Sequence, residues 1–514
     1  MRARPPSESI WNASVLAHLG AAVLACVGVS GCIFYLNPLC NDQIRNGDET
    51  DIDCGGTCGK CNIGDSCRVN VDCDESNCVN GKCTPFPCDN GKQDEQETDI
   101  DCGGGTCRAC SGGRHCVLGS DCVSGVCVAG SNTCFELATV SFGDAVHYPS
   151  GDKTYTMFAG DLNGDGHIDL VAANEQANSL SVFLNKGDST GMFQILANQS
   201  TAFVTGAYPT GGAIADFNHD GIPDVITADY HGFSVSILLG IPTMMGSGKG
   251  TGALAAKTTY PTIDEGETSN LAVGDLDGDG NLDVVTANPA VHLPSAASVS
   301  TFLGRADGTL GPPDTAAVGT GSSQPYAVAM GDFNGDGKQD VAISDLVNGP
   351  IVVKLGNGDG TFQPQVLYSA GGQGATIIIT RDMNLDGKLD LVCANRGSND
   401  VTVLLGRGDG TFRKAIATST GKNTSPYSLE VADFNLDGVP DVVTANFGTG
   451  TGTILLGIGD GHFEAPIDAG PTALSKGMIS YGVAAGDFNG DGKPDFATTN
   501  PGDNDISIKL STSH

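Results

Sequence analysis

The sequence predicts an all-β protein: a seven-bladed β-propeller of four-stranded blades, its last blade completed by an N-terminal strand, with a small disulfide-rich region in front. Three observations predict it. A nine-residue pattern, D-x-(D/N)-x-D-G-x-x-D, recurs seven times, beginning at Asp161, Asp216, Asp275, Asp332, Asp382, Asp433 and Asp487. The starts are 55, 59, 57, 50, 51 and 54 residues apart, a period that suits one four-stranded blade. Eighteen of the 19 cysteines lie before residue 135, which sets a cross-linked segment apart from the repeats.

Each repeat places oxygen-bearing side chains at positions 1, 3, 5 and 9, to which position 7 adds its backbone carbonyl. A hard cation such as Ca²⁺ takes such a shell, roughly six to eight oxygens. The ligand sets are Asp161, Asn163, Asp165, His167 and Asp169; Asp216, Asn218, Asp220, Ile222 and Asp224; Asp275, Asp277, Asp279, Asn281 and Asp283; Asp332, Asn334, Asp336, Lys338 and Asp340; Asp382, Asn384, Asp386, Lys388 and Asp390; Asp433, Asn435, Asp437, Val439 and Asp441; and Asp487, Asn489, Asp491, Lys493 and Asp495. Up to seven ions, one per blade, are expected. Position 6 is glycine in every copy, where the chain must turn sharply.

These are not EF-hands, which need a bidentate Glu at position 12 and flanking helices; position 12 of the first copy is Ala172. The flanks "YAVAMGDFN" and "KQDVAISD" read as short strands, so each loop is expected to close a β-hairpin. Position 2 is apolar throughout, which pins the hairpin into the blade. A second motif follows about 25 residues later, as in "LLGRGDGTF" from Leu404 and "LGNGDGTF" from Leu355, and reads as a Gly-Asp turn between outer strands. The last unit stops at "DISIKLSTSH" with three strands. Its fourth is expected upstream, where "SFGDAVHYPSG" from Ser141 matches "TFQPQVLYSAG" from Thr361, leaving no exposed edge.

The pairing of "GDFNGDGKPDF" with "LGNGDGTF" resembles the FG-GAP, or VCBS, repeats of integrin α-subunit propellers and bacterial exported proteins. The resemblance covers residues 135–514. It implies Ca²⁺ in the first hairpin of each blade, on the bottom face, with ligands approaching the opposite, top face. The first unit departs from the family string at "LNKGDSTGMF" and the second carries the insertion "GIPTMMGSGKGTGAL"; both departures are expected to touch loops rather than the metal ligands.

Upstream, Cys40–Cys83 and Cys88–Cys134 carry eight cysteines each in matching order, giving repeats over residues 40–87 and 88–134. Units this small fold only with staples, and disulfides suit an exported chain. Zinc is the rival, since Cys58-x-x-Cys61 and Cys107-x-x-Cys110 have ligand-pair spacing. The "ETDIDCGG" strings resemble cysteine-rich repeats that act as stalks in myxobacterial surface proteins. Residues 1–31 read as a signal peptide, with Arg2 and Arg4 ahead of an apolar run too short for a stable span. Val29-Ser30-Gly31-Cys32 resembles a bacterial lipobox, by which Cys32 carries a lipid and residues 32–39 form a linker. Outer-membrane or cell-surface display follows from that resemblance.

A net charge of −34 argues against nucleic acid as a partner. Catalysis finds little support: the nine histidines neither cluster nor recur, and no G-x-S-x-G, H-E-x-x-H or Walker string is present. Tyr155, Tyr326, Tyr427 and Tyr481 each lie six residues before a loop, where they either pack as repeat positions or ring the channel mouth and stack on sugars. Arg407-Gly408-Asp409 falls inside a Gly-Asp turn, and Cys393 reads as a buried free thiol. The expected protein is a monomeric, calcium-stabilised surface binding or adhesion protein that recognises a protein or glycan through its top-face loops. A propeller lectin and a calcium-dependent polysaccharide lyase are the alternatives.

Overall fold

The computed structural model describes residues 140–513, apart from 198–201, 245–247, 263–266, 290–296, 320–323, 348–349 and 475–478, together with scattered stretches before residue 135. The chain divides into two compact units, one built from the cysteine-rich segment and the other chiefly Cys134–His514. In the first, disulfides join Cys102 to Cys110 and Cys116 to Cys127, and Cys61, Cys67, Cys83 and Cys122 are also disulfide-bonded. Cys61 and Cys110, one from each C-x-x-C pair, are thus bridged rather than free to hold zinc. Further upstream, Ala22–Ala25 pairs antiparallel with Ile33–Leu36. Cys32, Cys40, Cys58 and Cys107 lie outside the described residues.

The second unit is the propeller. Each of the first six blades is an antiparallel sheet whose strands follow in chain order, as in the fifth: Ala375–Arg381, Asp390–Asn395, Asp400–Leu404 and Ile416–Ser419. The second strand of every blade is buried at all six positions, from Asp169–Asn174 to Asp495–Asn500. Period-two alternation vanishes there because both faces of the sheet are covered by neighbouring blades, which favours small and β-branched residues such as "DVVTAN". The core is correspondingly divided into seven wedges, one per blade boundary. One packs Leu162, Val171 and Val182 of the first blade against Val225 and Leu238 of the second, and another packs Phe434 and Ile454 of the sixth against Val483 and Phe496 of the seventh.

Two blades depart from the pattern. The outer strand of the first is broken into Phe193–Ala197 and Phe203–Val204, both paired to the third strand. In the second, the insertion forms its own hairpin, Gly240–Pro242 with Gly250–Leu254.

The ring closes as expected: Val146–Pro149 is the outer strand of the last blade, paired antiparallel to Asp505–Lys509. Tyr148 fixes it, buried among Phe183, Phe193 and Phe488 in the wedge between the first and seventh blades and accepting the Phe193 N–H at 3.1 Å. Its counterpart Tyr368 packs edge-on against Phe412 in the same way that Tyr148 meets Phe193. Tyr148→Ala is expected to destabilise the propeller by about 3–5 kcal/mol in denaturant melts, the range for an aromatic lost from a core. A loss under 1 kcal/mol would mean that the strand is not a working part of the seam.

Candidate functional site

The seven loops share one hydrogen-bond plan. The position 1 carboxylate accepts the N–H of the position 6 glycine at 2.7–3.0 Å in every copy. The side-chain oxygen at position 3 accepts the N–H of position 5, and position 5 accepts the N–H of position 7, as in Asn163, Asp165 and His167. Gly166 and its counterparts take positive φ, +80 to +90°, which lets successive N–H groups point inward.

Position 9 does something else. Asp169 is fully buried, and its two oxygens accept different N–H groups: Leu162 at position 2 and Asn185 at the end of the third strand. All seven blades repeat this, with Asp224, Asp283, Asp340, Asp390, Asp441 and Asp495 binding position 2. Their second N–H donors are Gly240, Gly304, Gly356, Gly406, Gly457 and Ser511. One carboxylate thereby ties the loop, the second strand and the third strand together.

Burial pushes these carboxyls above the ordinary range, and neighbouring loop carboxylates push the same way while the N–H donors pull back. Asp169 and Asp495 reach about 7, and Asp441 about 8. In the third loop Asp275, Asp277 and Asp283 bring carboxylate oxygens within 4.8 Å of one another, the one carboxylate trio of that closeness among the described residues. Hard oxygen donors converging with like charge are the donor set a Ca²⁺-sized cation fits. Each carboxylate oxygen has a second lone pair beyond the one its N–H donor uses.

The Gly-Asp turns lie against the loops across blade boundaries, a role the sequence pattern did not disclose. Gly410 donates its N–H to the Phe333 carbonyl in the preceding blade's loop, at 2.9 Å. A Cβ on Gly308 would stand 3.0 Å from the Asn218 Cβ, and one on Gly191 3.4 Å from that of Asn489. In the second blade the insertion takes the turn's place, and contrary to expectation it does reach a residue of the expected ligand sets: Gly250 N–H donates to the Asn163 carbonyl at 3.1 Å. Arg407-Gly408-Asp409 belongs to this plan. Arg407 Nη1 donates to the Phe412 carbonyl at 2.8 Å and Asp409 accepts both Thr411 donors, as Arg305, Asp307 and Thr309 do two blades earlier. Cys393 is a buried free thiol whose burial pushes its pKa up.

At the opposite end of the innermost strands the four tyrosines meet on the axis. Tyr155 and Tyr326 hydroxyls are 2.5 Å apart, and Tyr427 bonds to both. Tyr481 stacks on Tyr155 and Tyr427 with centroids 4.6 and 4.5 Å away. The equivalent residues of the other three blades are Thr210, Ser269 and Thr376, so all seven blades put a hydroxyl-bearing residue at this register. Packing and mouth-lining, posed as alternatives, describe the same tyrosines.

Two further rings went unnoticed in the sequence. The second strand ends in Asn174, Asp229, Asn288, Asp345, Asn395, Asn446 or Asn500, all buried. In most blades this residue holds hydroxyls at the start of the third strand; Asn446 Nδ2, for instance, donates to Thr451 and Thr453 at 3.1 and 2.8 Å. The next residue is of six types in seven blades: Glu175, Tyr230, Pro289, Leu346, Arg396, Phe447 and Pro501. Arg396 lies over the Phe447 ring at 4.2 Å and the Tyr427 ring at 5.6 Å, while Tyr230 Oη donates to Glu267 at 2.9 Å. The signal for both rings was the Asn or Asp that closes each second strand.

A model of the FG-GAP-like repeat matches residues 138–227, 290–343, 332–392, 382–444 and 435–498, and one of the FG-GAP repeat matches 268–302. No curated protein matches the chain. Among solved structures, a lectin from Agrocybe aegerita, described for specific recognition of non-reducing terminal N-acetylglucosamine, is 21% identical with a TM-score of 0.44, over 62% of this chain and 80% of the lectin. BBS1N in complex with ARL6DN is 12% identical with a TM-score of 0.47, over 72% of this chain and 98% of that one. A putative 6-phosphogluconolactonase from Bacteroides uniformis is 16% identical with a TM-score of 0.43, over 61% of this chain and 86% of that one.

Two predictions follow from the hydrogen bonds. Asp390→Ala, which strips two N–H groups of their acceptor, is expected to destabilise the protein by about 2–5 kcal/mol even in chelator. Asp386→Ala is expected to matter chiefly when calcium is present. Equal losses from both variants in chelator would remove the distinction between positions 9 and 5. Asp229 supplies a pH test, since burial raises its carboxyl to about 6 against three hydroxyl donors. A raised folded pKa means stability that is present below pH ~4 and lost as pH rises through ~6. Asp229→Asn, the residue of five other blades, is therefore expected to gain roughly 1–3 kcal/mol at pH 8 and little at pH 4. A gain that did not change with pH would refute this assignment.

Proposed function

Because the chain belongs to the FG-GAP-like repeat family, we propose that it is a non-catalytic binding protein: a calcium-braced propeller that presents its variable end to a protein or glycan. The observation that supports this is the contrast between the two ends of each blade. At the loop end, hydrogen bonds and residue types repeat in all seven blades, as expected of parts whose work is to hold the ring. At the other end, the residue after each buried Asn or Asp changes from carboxylate to phenol to guanidinium to phenyl, and nothing in the fold demands that variety.

In this reading calcium is structural. Positions 1, 3, 5 and 9, with the carbonyl of position 7, would hold one ion per loop, and the ion would neutralise carboxylates that otherwise repel. The protein's own part is the N–H framework that aims those carboxylates before any ion arrives. Rigidity at the loop end then fixes the mouth, because the same strands run from one to the other. We further propose that the chain is exported and works as a monomer, anchored through lipid at Cys32 with the cysteine-rich repeats as a stalk. The disulfides of that segment support an oxidising compartment.

Chelation is expected to lower the melting temperature of the propeller by several degrees, and excess Ca²⁺ to restore it. Each site held at 100-fold its Kd contributes about 2.7 kcal/mol. A melting curve indifferent to chelator would eliminate the calcium reading. Screening the calcium-loaded protein against envelope polysaccharides and surface proteins tests the binding reading, which a blank result in both panels would end.

A further inference from the structure

We infer that the seven loops are graded calcium sites rather than equal ones, the third holding its ion most tightly and the fifth most weakly, with Asp277 and Lys388 setting the two extremes. This rests on the calcium reading above and ranks the sites within it.

Charge separates the loops first. The third, residues 275–283, carries four carboxylates and no basic residue, a formal charge of −4, because Asp277 stands at position 3 where the other six loops have Asn. The fifth, residues 382–390, carries three carboxylates and Lys388, and Arg381 stands directly before it. Arg381 is registered opposite Asp390 across the hairpin, a position that is Gly or Ala in the other six blades. With both basic residues the local balance is −1. Sites built from oxygen ligands tune their calcium affinity through ligand charge and rigidity, so this contrast is enough to rank the two loops.

Contacts within the loops point the same way. In the fifth, Asp386 at position 5 is already engaged by a cation: Lys388 Nζ lies 3.2 Å from Oδ2, while the Lys388 N–H donates to Oδ1 at 3.0 Å. An arriving ion must displace that ammonium or share the carboxylate with it. In the third, the matching Asp279 is met instead by a neutral amide, Asn281, whose Nδ2 donates to Oδ2 at 2.8 Å. His219, reaching over from the second loop, bonds to the Asn281 amide at 3.3 Å rather than to a carboxylate. Asp275, Asp277 and Asp283 crowd together there within 4.8 Å, and a dication among them turns their mutual repulsion into attraction. Lysine also stands at position 7 of the fourth and seventh loops. Lys493, however, donates to the Ser513 carbonyl, and of the three lysines Lys388 alone pairs with a carboxylate among the described residues.

Counting the ions bound to the full-length protein by native mass spectrometry, across a series of buffered free calcium concentrations, tests the ranking. The first ion is expected to bind at a free calcium about tenfold or more below the last. Asp277→Asn, which gives the third loop the residue of the other six, should raise the first step to that of the remaining loops. Lys388→Met keeps the position 7 carbonyl and should lower the last step about two- to fivefold, the scale of an exposed ion pair. Lys338→Met should leave both ends in place. Seven ions that fill together, or either end unmoved by its own substitution, overturn the ranking while leaving the calcium reading intact. No ion bound at millimolar calcium overturns both.

Discussion

The propeller depends on a carboxylate taken out of water. A buried, unsatisfied carboxylate costs several kcal/mol, so its retention in all seven blades needs a physical reason. The reason is connectivity: the position 9 aspartate accepts one N–H from the loop and one from the end of the third strand. Loop and sheet therefore share a residue, and neither can shift register without abandoning a charged acceptor. Burial and the neighbouring carboxylates oppose ionisation at that one position, and the calcium proposed for the loop would offset both. In that proposal cation-binding geometry and strand geometry are a single constraint.

The other end of each second strand is fastened by the same principle, in five blades by an amide instead of a carboxyl. Asn446 holds the start of its third strand through side-chain hydrogen bonds, as Asp169 holds the end of its own. An amide supplies donor and acceptor together, so at those five positions no counter-ion is needed. Each hairpin is thus clamped at both ends by a buried polar side chain. The residue just beyond this clamp is released from its duty, and that freedom explains how one ring can carry Glu175, Tyr230, Arg396 and Phe447 at equivalent positions.

Much of this was legible in the sequence. Blade number, the seven Asp-rich loops and the closing strand were all readable, since each rests on a local pattern repeated at a fixed period. The Gly-Asp turn was visible as a turn, but its docking beneath the preceding blade's loop was not. That contact joins residues about 75 apart, such as Gly410 and Phe333, through a backbone carbonyl that no side-chain pattern encodes. Arg396 was hidden for a similar reason, because a position that does not recur from repeat to repeat is filtered out by looking for repeats.

The strand that closes the ring joins His147 to Asp505, 358 residues apart. A chain leaving the ribosome makes every other blade from segments close in sequence, yet the first strand of the propeller waits for the last. Until residue 505 has been synthesised, the strand with Tyr148 and the edge it will cover are both exposed, and the wedge between the first and seventh blades stays open. Loop-closure entropy rises only slowly with length, so the delay is a matter of order rather than of affinity. The seam acts as a completeness check: a chain cut short anywhere before its last strand retains an open edge, the feature that proteases and aggregating partners recognise.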